Sequence, residues 1–133
     1  MRIYISQPMF GKSDMEIYEE RNRIIEYAKD KFKDVQIIDS MLDITYKDTP
    51  SVQKVYDPRE DTNKMVKLDI LGERIGGLYL SKSLQIMMYS DMVIFAPGWD
   101  KARGCNIEHA VCKAYGIPYL CLTSKDINVI QYV

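Results

Sequence analysis

Residues 92–122 read MVIFAPGWDKARGCNIEHAVCKAYGIPYLCL. The first five residues are a continuous apolar run, the pattern of a strand buried on both faces. A loop with Pro97, Gly98 and Gly104 follows. A helix is then expected over 104–115, with Ile107, Val111, Ala114 and Tyr115 on its buried stripe. Gly116 and Pro118 stop it, and YLCL (119–122) is a second buried strand. Strand, helix and strand with no hairpin signal between them is a parallel crossover unit.

The same alternation extends toward the N-terminus. RIYIS (2–6) is strand-forming, and QPMFGK turns the chain. Ser13 and Glu16 have capping-box spacing ahead of a helix carrying Ile17, Tyr18, Ile24, Ile25, Ala28 and Phe32. Lysines around 29–33 suit its negative end. VQII (35–38) is a strand ending at Asp39 and Ser40. Residues 41–75 are polar and aperiodic, a long excursion with a short helix expected around 64–71 and an end at Gly76-Gly77. A helix over about 77–89 places Leu80, Leu84, Met87 and Met88 on one face, both methionines being assigned to the core. Asp91 then has a turn-forming or capping role. The expected fold is α/β, a flavodoxin-like or Rossmann-like three-layer sandwich on a mainly parallel sheet of four or five strands. It is read as a single domain over 1–133 with an insert at about 43–75.

Bulk composition narrows the function. With 28% charged residues and a net charge of -1, the chain builds no basic field for duplex nucleic acid or an anionic membrane. No apolar run reaches membrane-spanning length and no secretory leader is evident at the N-terminus. Three cysteines, Cys105, Cys112 and Cys121, form no CxxC pair, so reduced thiols in a cytoplasmic setting are expected, with no metal and no cofactor.

Ligands of open parallel sheets bind beyond the carboxyl ends of the strands. Flexible and polar residues concentrate there, in Ser6–Gly11 and Pro97–Gly104. Gly98 and Gly104 permit close backbone approach, and the start of the 104–115 helix with Arg103 suits an anion or polar oxygen. Glu108 lies one turn into that helix, at the border of the expected stripe. It is either aimed into the crevice or a solvated acid near a positive helix end. Tyr4 shares a strand face with Ser6 and is either a partner for a crevice carboxylate or a core aromatic. His109 is expected at the surface or an interface. Trp99 is open to base stacking or interface packing. Met9 and Phe10 have no evident helix or strand partner and suit a pocket lining.

IYISQPMFGK, YLSKSLQIMMYSD and GWDKARGCNIEHA together resemble the nucleoside 2-deoxyribosyltransferase-like superfamily, and most of all its small members. The likeness covers nearly the whole chain outside 43–75. It implies cleavage of the N-glycosidic bond of a 2'-deoxynucleoside or deoxynucleotide, the sugar passing to another base or to water. By this resemblance Glu108 is the nucleophile and Tyr4 holds it. Gln7, Pro8, Met9, Phe10 and Gly11 line a base pocket, with Gly104 and Cys105 in the turn before the nucleophile. Asp100 is the acidic candidate for protonating the departing base. A homo-oligomer is implied, with the tail at 126–133 available to complete a neighbour's pocket. The sequence departs from the family at Ser83, where a sugar-binding aspartate is expected eight residues before Asp91. That departure keeps a second reading open, a module that binds a nucleotide or nucleotide signal without turnover. An oligomeric scaffold is a third, and it gives no reason for the glycine-rich crevice.

Overall fold

The computed structural model describes residues 1–38, 51–68, 72 and 74–127. The elements in chain order are β1 (Arg2–Ser6), α1 (Asp14–Lys31), β2 (Gln36–Ile38), β3 (Ser51–Asp57), β4 (Thr62–Leu68), α2 (Arg74–Met87), β5 (Met92–Phe95), a 3-10 turn (Trp99–Lys101), α3 (Arg103–Tyr115), β6 (Tyr119–Cys121) and α4 (Ser124–Ile127). Two compact units divide the chain: residues 1–40 with 83–133, and residues 41–82.

The first unit is built on a four-stranded sheet in the order β2-β1-β5-β6. Every neighbouring pair in it is parallel. Tyr4 stands beside Val93 and Ser6 beside Phe95, so the carboxyl ends of β1 and β5 are level. Both faces are covered by helices, giving a Rossmann-like three-layer sandwich. On one face Ile3, Ile5, Ile94 and Ala96 pack with Ile24 and Ala28 of α1 and Ile127 of α4. On the other, Tyr4, Val93 and Phe95 pack with Met87 of α2 and with Cys105 and Cys112 of α3. Alternation along β1 produces this division, because successive side chains leave opposite faces of a strand. Burying each large apolar side chain contributes about 1.5–3 kcal/mol, so these two clusters dominate the stability of the unit.

Local chemistry sets the element ends. The α1 capping box is present: Ser13 Oγ accepts the Glu16 amide at 3.1 Å, and Glu16 Oε1 accepts the Ser13 amide at 3.4 Å. Gly116, at φ 70°, closes α3 in the left-handed region that favours glycine. Asp91 is structural, but it ties the start of β5 to β1 rather than capping a helix or forming a turn. Its Oδ2 accepts the backbone N–H of Arg2 at 2.6 Å and lies 3.6 Å from Arg2 Nε. Those contacts hold its carboxyl below the usual range, the backbone hydrogen bond being the larger cause.

Several expectations are corrected. Residues 64–68 are strand, not helix; 69–71 lie outside the described residues, as do Asp39, Ser40 and 128–133 of the tail. The excursion holds an antiparallel hairpin with Ser51 opposite Leu68 and Asp57 opposite Thr62. Its turn is set by Asp57 Oδ1, which accepts the Arg59 amide at 3.0 Å, and by Asp61 at φ 51°. Gly76 and Gly77 lie inside α2 rather than before it. Each costs a helix interior about 1 kcal/mol against alanine, which disguised the start of α2. Met88 falls in the turn after α2 and is 46% exposed, so only Met87 of the pair is core. Tyr18 is likewise exposed on α1, and β6 is a half-exposed edge of the sheet rather than a buried strand.

Candidate active site at the switch point of the sheet

After β1 the chain crosses to β2 on one side; β5 lies on the other side of β1. This reversal opens a crevice at the carboxyl ends of β1 and β5. Tyr4 and Ser6 point from β1 toward α3, whose first turns carry Cys105 and Glu108.

Glu108 is 5% exposed, inside the buried stripe of α3 rather than at its border. Tyr4 Oη donates to Glu108 Oε2 at 2.5 Å, and Ser6 Oγ donates to Oε1 at 2.7 Å. Burial pushes the Glu108 carboxyl above its ordinary value, while the two hydroxyl donors pull the other way. Two short hydrogen bonds to an acid favour its charged form, so burial is the stronger effect here. The buried face of α3 is Cys105, Glu108 and Cys112, at three- and four-residue spacing. The expected stripe is therefore displaced: Ile107 is 38% and Tyr115 75% exposed, and Ala114 is exposed as well. Small thiols let α3 lie close to β1 and β5, which brings Glu108 within reach of the two hydroxyls. Burial pushes Cys105 and Cys112 up to about 11, with the Glu108 charge adding to the effect. The neighbouring Ser6 hydroxyl works against the rise at the Cys105 thiol.

A second polar group sits on the α1 side of the same strand end. Gln7, one residue past Ser6, is 7% exposed. Its Nε2 donates to the Ile17 carbonyl at 2.8 Å and to Glu20 Oε1 at 3.0 Å. Lys12 Nζ reaches the two Glu20 oxygens at 3.2 and 3.3 Å. Sequence reasoning missed Lys12 and Glu20. The signal was available, because Glu20 falls on the period of Ile17 and Ile24, an acid on an apolar face.

The other candidate residues are placed as follows. Pro8 is half-buried, Met9 is 37% exposed and Phe10 is 102% exposed, standing in solvent rather than lining a pocket. The turn responsible is closed by Gly11 at φ 80° and by the Lys12 amide donating to the Met9 carbonyl. Gly98, at φ 84°, starts the 3-10 turn and folds it back on α3. Trp99 accordingly stacks on His109 within the chain, ring centroids 4.2 Å apart at 20°. Half-buried His109 also meets Phe95 at 5.2 Å and Tyr119 at 4.6 Å, so it belongs to an aromatic cluster instead of the free surface. Partial burial, with Lys113 nearby, holds its pKa down. Asp100 is exposed in the 3-10 turn, its carbonyl accepting from Asn106 at 2.8 Å. Arg103 is exposed at the start of α3, Gly104 is half-buried beside it, and Ser83 is half-buried on α2. Glu108, Tyr4, Ser6 and Cys105 are thus brought together, whereas Asp100 and Phe10 face solvent.

Among the described residues no group of three or more His, Cys, Asp or Glu side chains could hold a metal ion. No helix among them is long and apolar enough to cross a membrane. All three cysteines are free thiols. Compared with protein-family models, curated proteins and solved structures, the chain found no match in any of the three.

Proposed function

We propose that the chain cleaves the N-glycosidic bond of a 2'-deoxynucleoside or 2'-deoxynucleoside 5'-monophosphate through Glu108. The observation that carries this reading is a buried carboxylate at the sheet switch point, gripped on both oxygens by hydroxyls of β1. A solvated acid near a helix end has no need of such donors. The resemblance to the nucleoside 2-deoxyribosyltransferase-like superfamily supplies the substrate class, and with it a homo-oligomeric, cytoplasmic enzyme.

Loss of a base builds positive charge on the sugar, and a carboxylate under the anomeric carbon stabilises that charge. The C1'–O bond to Glu108 forms as the C1'–N bond breaks. The base leaves with the electron pair and takes up a proton from water; Asp100, the acid that the sequence offered for this step, faces solvent. Water or a second base then attacks C1', displaces Glu108 and restores the starting configuration. One oxygen of Glu108 must be released to bond carbon. Ser6 is the donor that yields, since a serine hydroxyl swings about a single bond, whereas the Tyr4 ring is fixed in the core. The half-buried Ser83 is able to hydrogen-bond a sugar hydroxyl without adding charge.

Ser83 in place of a sugar-binding aspartate favours the second reading, a nucleotide-binding module without turnover. A panel of deoxynucleosides and their 5'-monophosphates, assayed for free base and for base exchange, separates the two. Base released by the wild type and not by Glu108→Ala is the expected result. Tight binding in calorimetry with no turnover across the panel would establish the binding module instead.

A further inference from the structure

Among the described residues, Gln7 Oε1 is a buried acceptor with no donor. The rest of that side chain is fully engaged. Nε2 faces two acceptors, the Ile17 carbonyl and Glu20 Oε1. Turning the amide over would set oxygen against oxygen at both, so the orphan position belongs to the oxygen and the side chain cannot turn to satisfy it. Buried polar atoms are almost always paired, and an orphan acceptor on a residue that adjoins Ser6 points to a donor brought in from outside the chain.

We propose that Gln7 Oε1 is a specificity-determining acceptor for an N–H group on the far edge of the base. The proposal rests on the deoxynucleoside reading above. Three observations fix the chemistry of the incoming group. An amide oxygen requires a donor, which excludes a phosphate or carboxylate oxygen at this point. Glu20 and Lys12 neutralise one another, so the local field favours a neutral donor over an ion. Ser6 turns toward α3 and Gln7 toward α1, on opposite sides of the strand end. A ligand whose anomeric carbon meets Glu108 therefore reaches Gln7 with a group several bonds away, the edge of the base rather than a sugar hydroxyl.

The oxygen is covered in the present conformation, so the donor enters as the 8–12 turn lifts. Phe10 stands in solvent, and the Lys12–Glu20 bridge, with side chains 28% and 15% exposed, is the contact that opens with the turn.

The test compares pairs of nucleosides that differ by one amino group: 2'-deoxyadenosine against purine 2'-deoxyriboside, and 2'-deoxycytidine against its 4-deamino analogue. Wild type should favour one amino-bearing member by about tenfold or more in kcat/KM, the size of a buried hydrogen bond lost to an analogue. In Gln7→Leu that ratio should collapse toward one. Gln7→Met, closer in shape, gives the same reading if Gln7→Leu fails to fold. An unchanged ratio in the variant, or no discrimination by wild type, overturns the inference while leaving the Glu108 chemistry intact. If wild type binds nucleosides without cleaving them, the same ratios are read from calorimetric Kd values. Absence of both binding and cleavage overturns this inference together with the function on which it rests.

Discussion

Glu108 carries two opposed demands. Burial disfavours its charge, and attack on carbon requires that charge. Because the fold raises its pKa, the folded state holds a proton on Glu108 more readily than the unfolded chain does. Its contribution to stability is fully present below the ordinary carboxylate value and is lost as pH rises through the raised one. Asp91 and Asp126 have lowered values and act in the opposite sense, losing their contribution as pH falls. A comparison with Glu108→Gln isolates the single group. The variant's melting temperature relative to wild type should climb with pH across that window, by roughly a few degrees. A gap independent of pH would show that Glu108 titrates as an ordinary acid. Activity has the same origin: kcat/KM should rise with pH as the carboxylate forms. Removing the Tyr4 hydroxyl takes away a hydrogen bond to the charged form, worth about 1.5–3 kcal/mol. The acid limb of Tyr4→Phe should accordingly move to higher pH by about one to two units. An unmoved limb would reduce Tyr4 to a core aromatic. The sequence exposed part of this arrangement: Tyr4 and Ser6 share a face by the strand period, whereas spacing alone left Glu108 at the border of the expected stripe and the resemblance singled it out. The period of Ile17 and Ile24 marks Glu20, but its link to Gln7 was not legible, since that contact depends on how α1 is laid against the sheet.

At the level of elements, capping and crossover signals were dependable and apolar counting was not. Ser13 and Glu16 form the box their spacing predicts, and Ser13→Ala should destabilise the fold by about 1 kcal/mol, read as a lower denaturant midpoint at unchanged slope. No shift in midpoint would mean that α1 is fixed by its packing alone. In α3 the hydrophobic count selected the stripe through Ile107 and Tyr115, yet the helix buries two thiols and an acid. Small residues win there because close approach to β1 and β5 satisfies Glu108, an advantage absent from any apolar scale. The β3–β4 hairpin was hidden for a related reason. Its side chains are mostly polar, and β4 is exposed at all but one position, so the two-residue alternation leaves no trace in hydrophobicity.

At the scale of the whole molecule, both hydrophobic clusters of the parallel sheet are built, among the described residues, from positions outside 41–82. Replacing 51–68 by a short glycine-serine linker should therefore leave a cooperatively unfolding sheet unit, with a single thermal transition and native helix content by circular dichroism. Loss of cooperativity would assign the hairpin a part in that core. The alternation of strands and helices made the sheet legible from sequence, and the level ends of β1 and β5 place the crevice where such sheets bind ligands.

The central claim is that Glu108 forms a bond to a sugar, and a trapped intermediate tests it most directly. Wild type and Glu108→Gln would be incubated with a 2'-fluoroarabinosyl nucleoside, whose fluorine slows release of the sugar, then quenched and digested for mass spectrometry. A fluorosugar adduct is expected on the wild-type peptide containing Glu108 and none on the variant. Base release without an adduct, or an adduct on another residue, would contradict it.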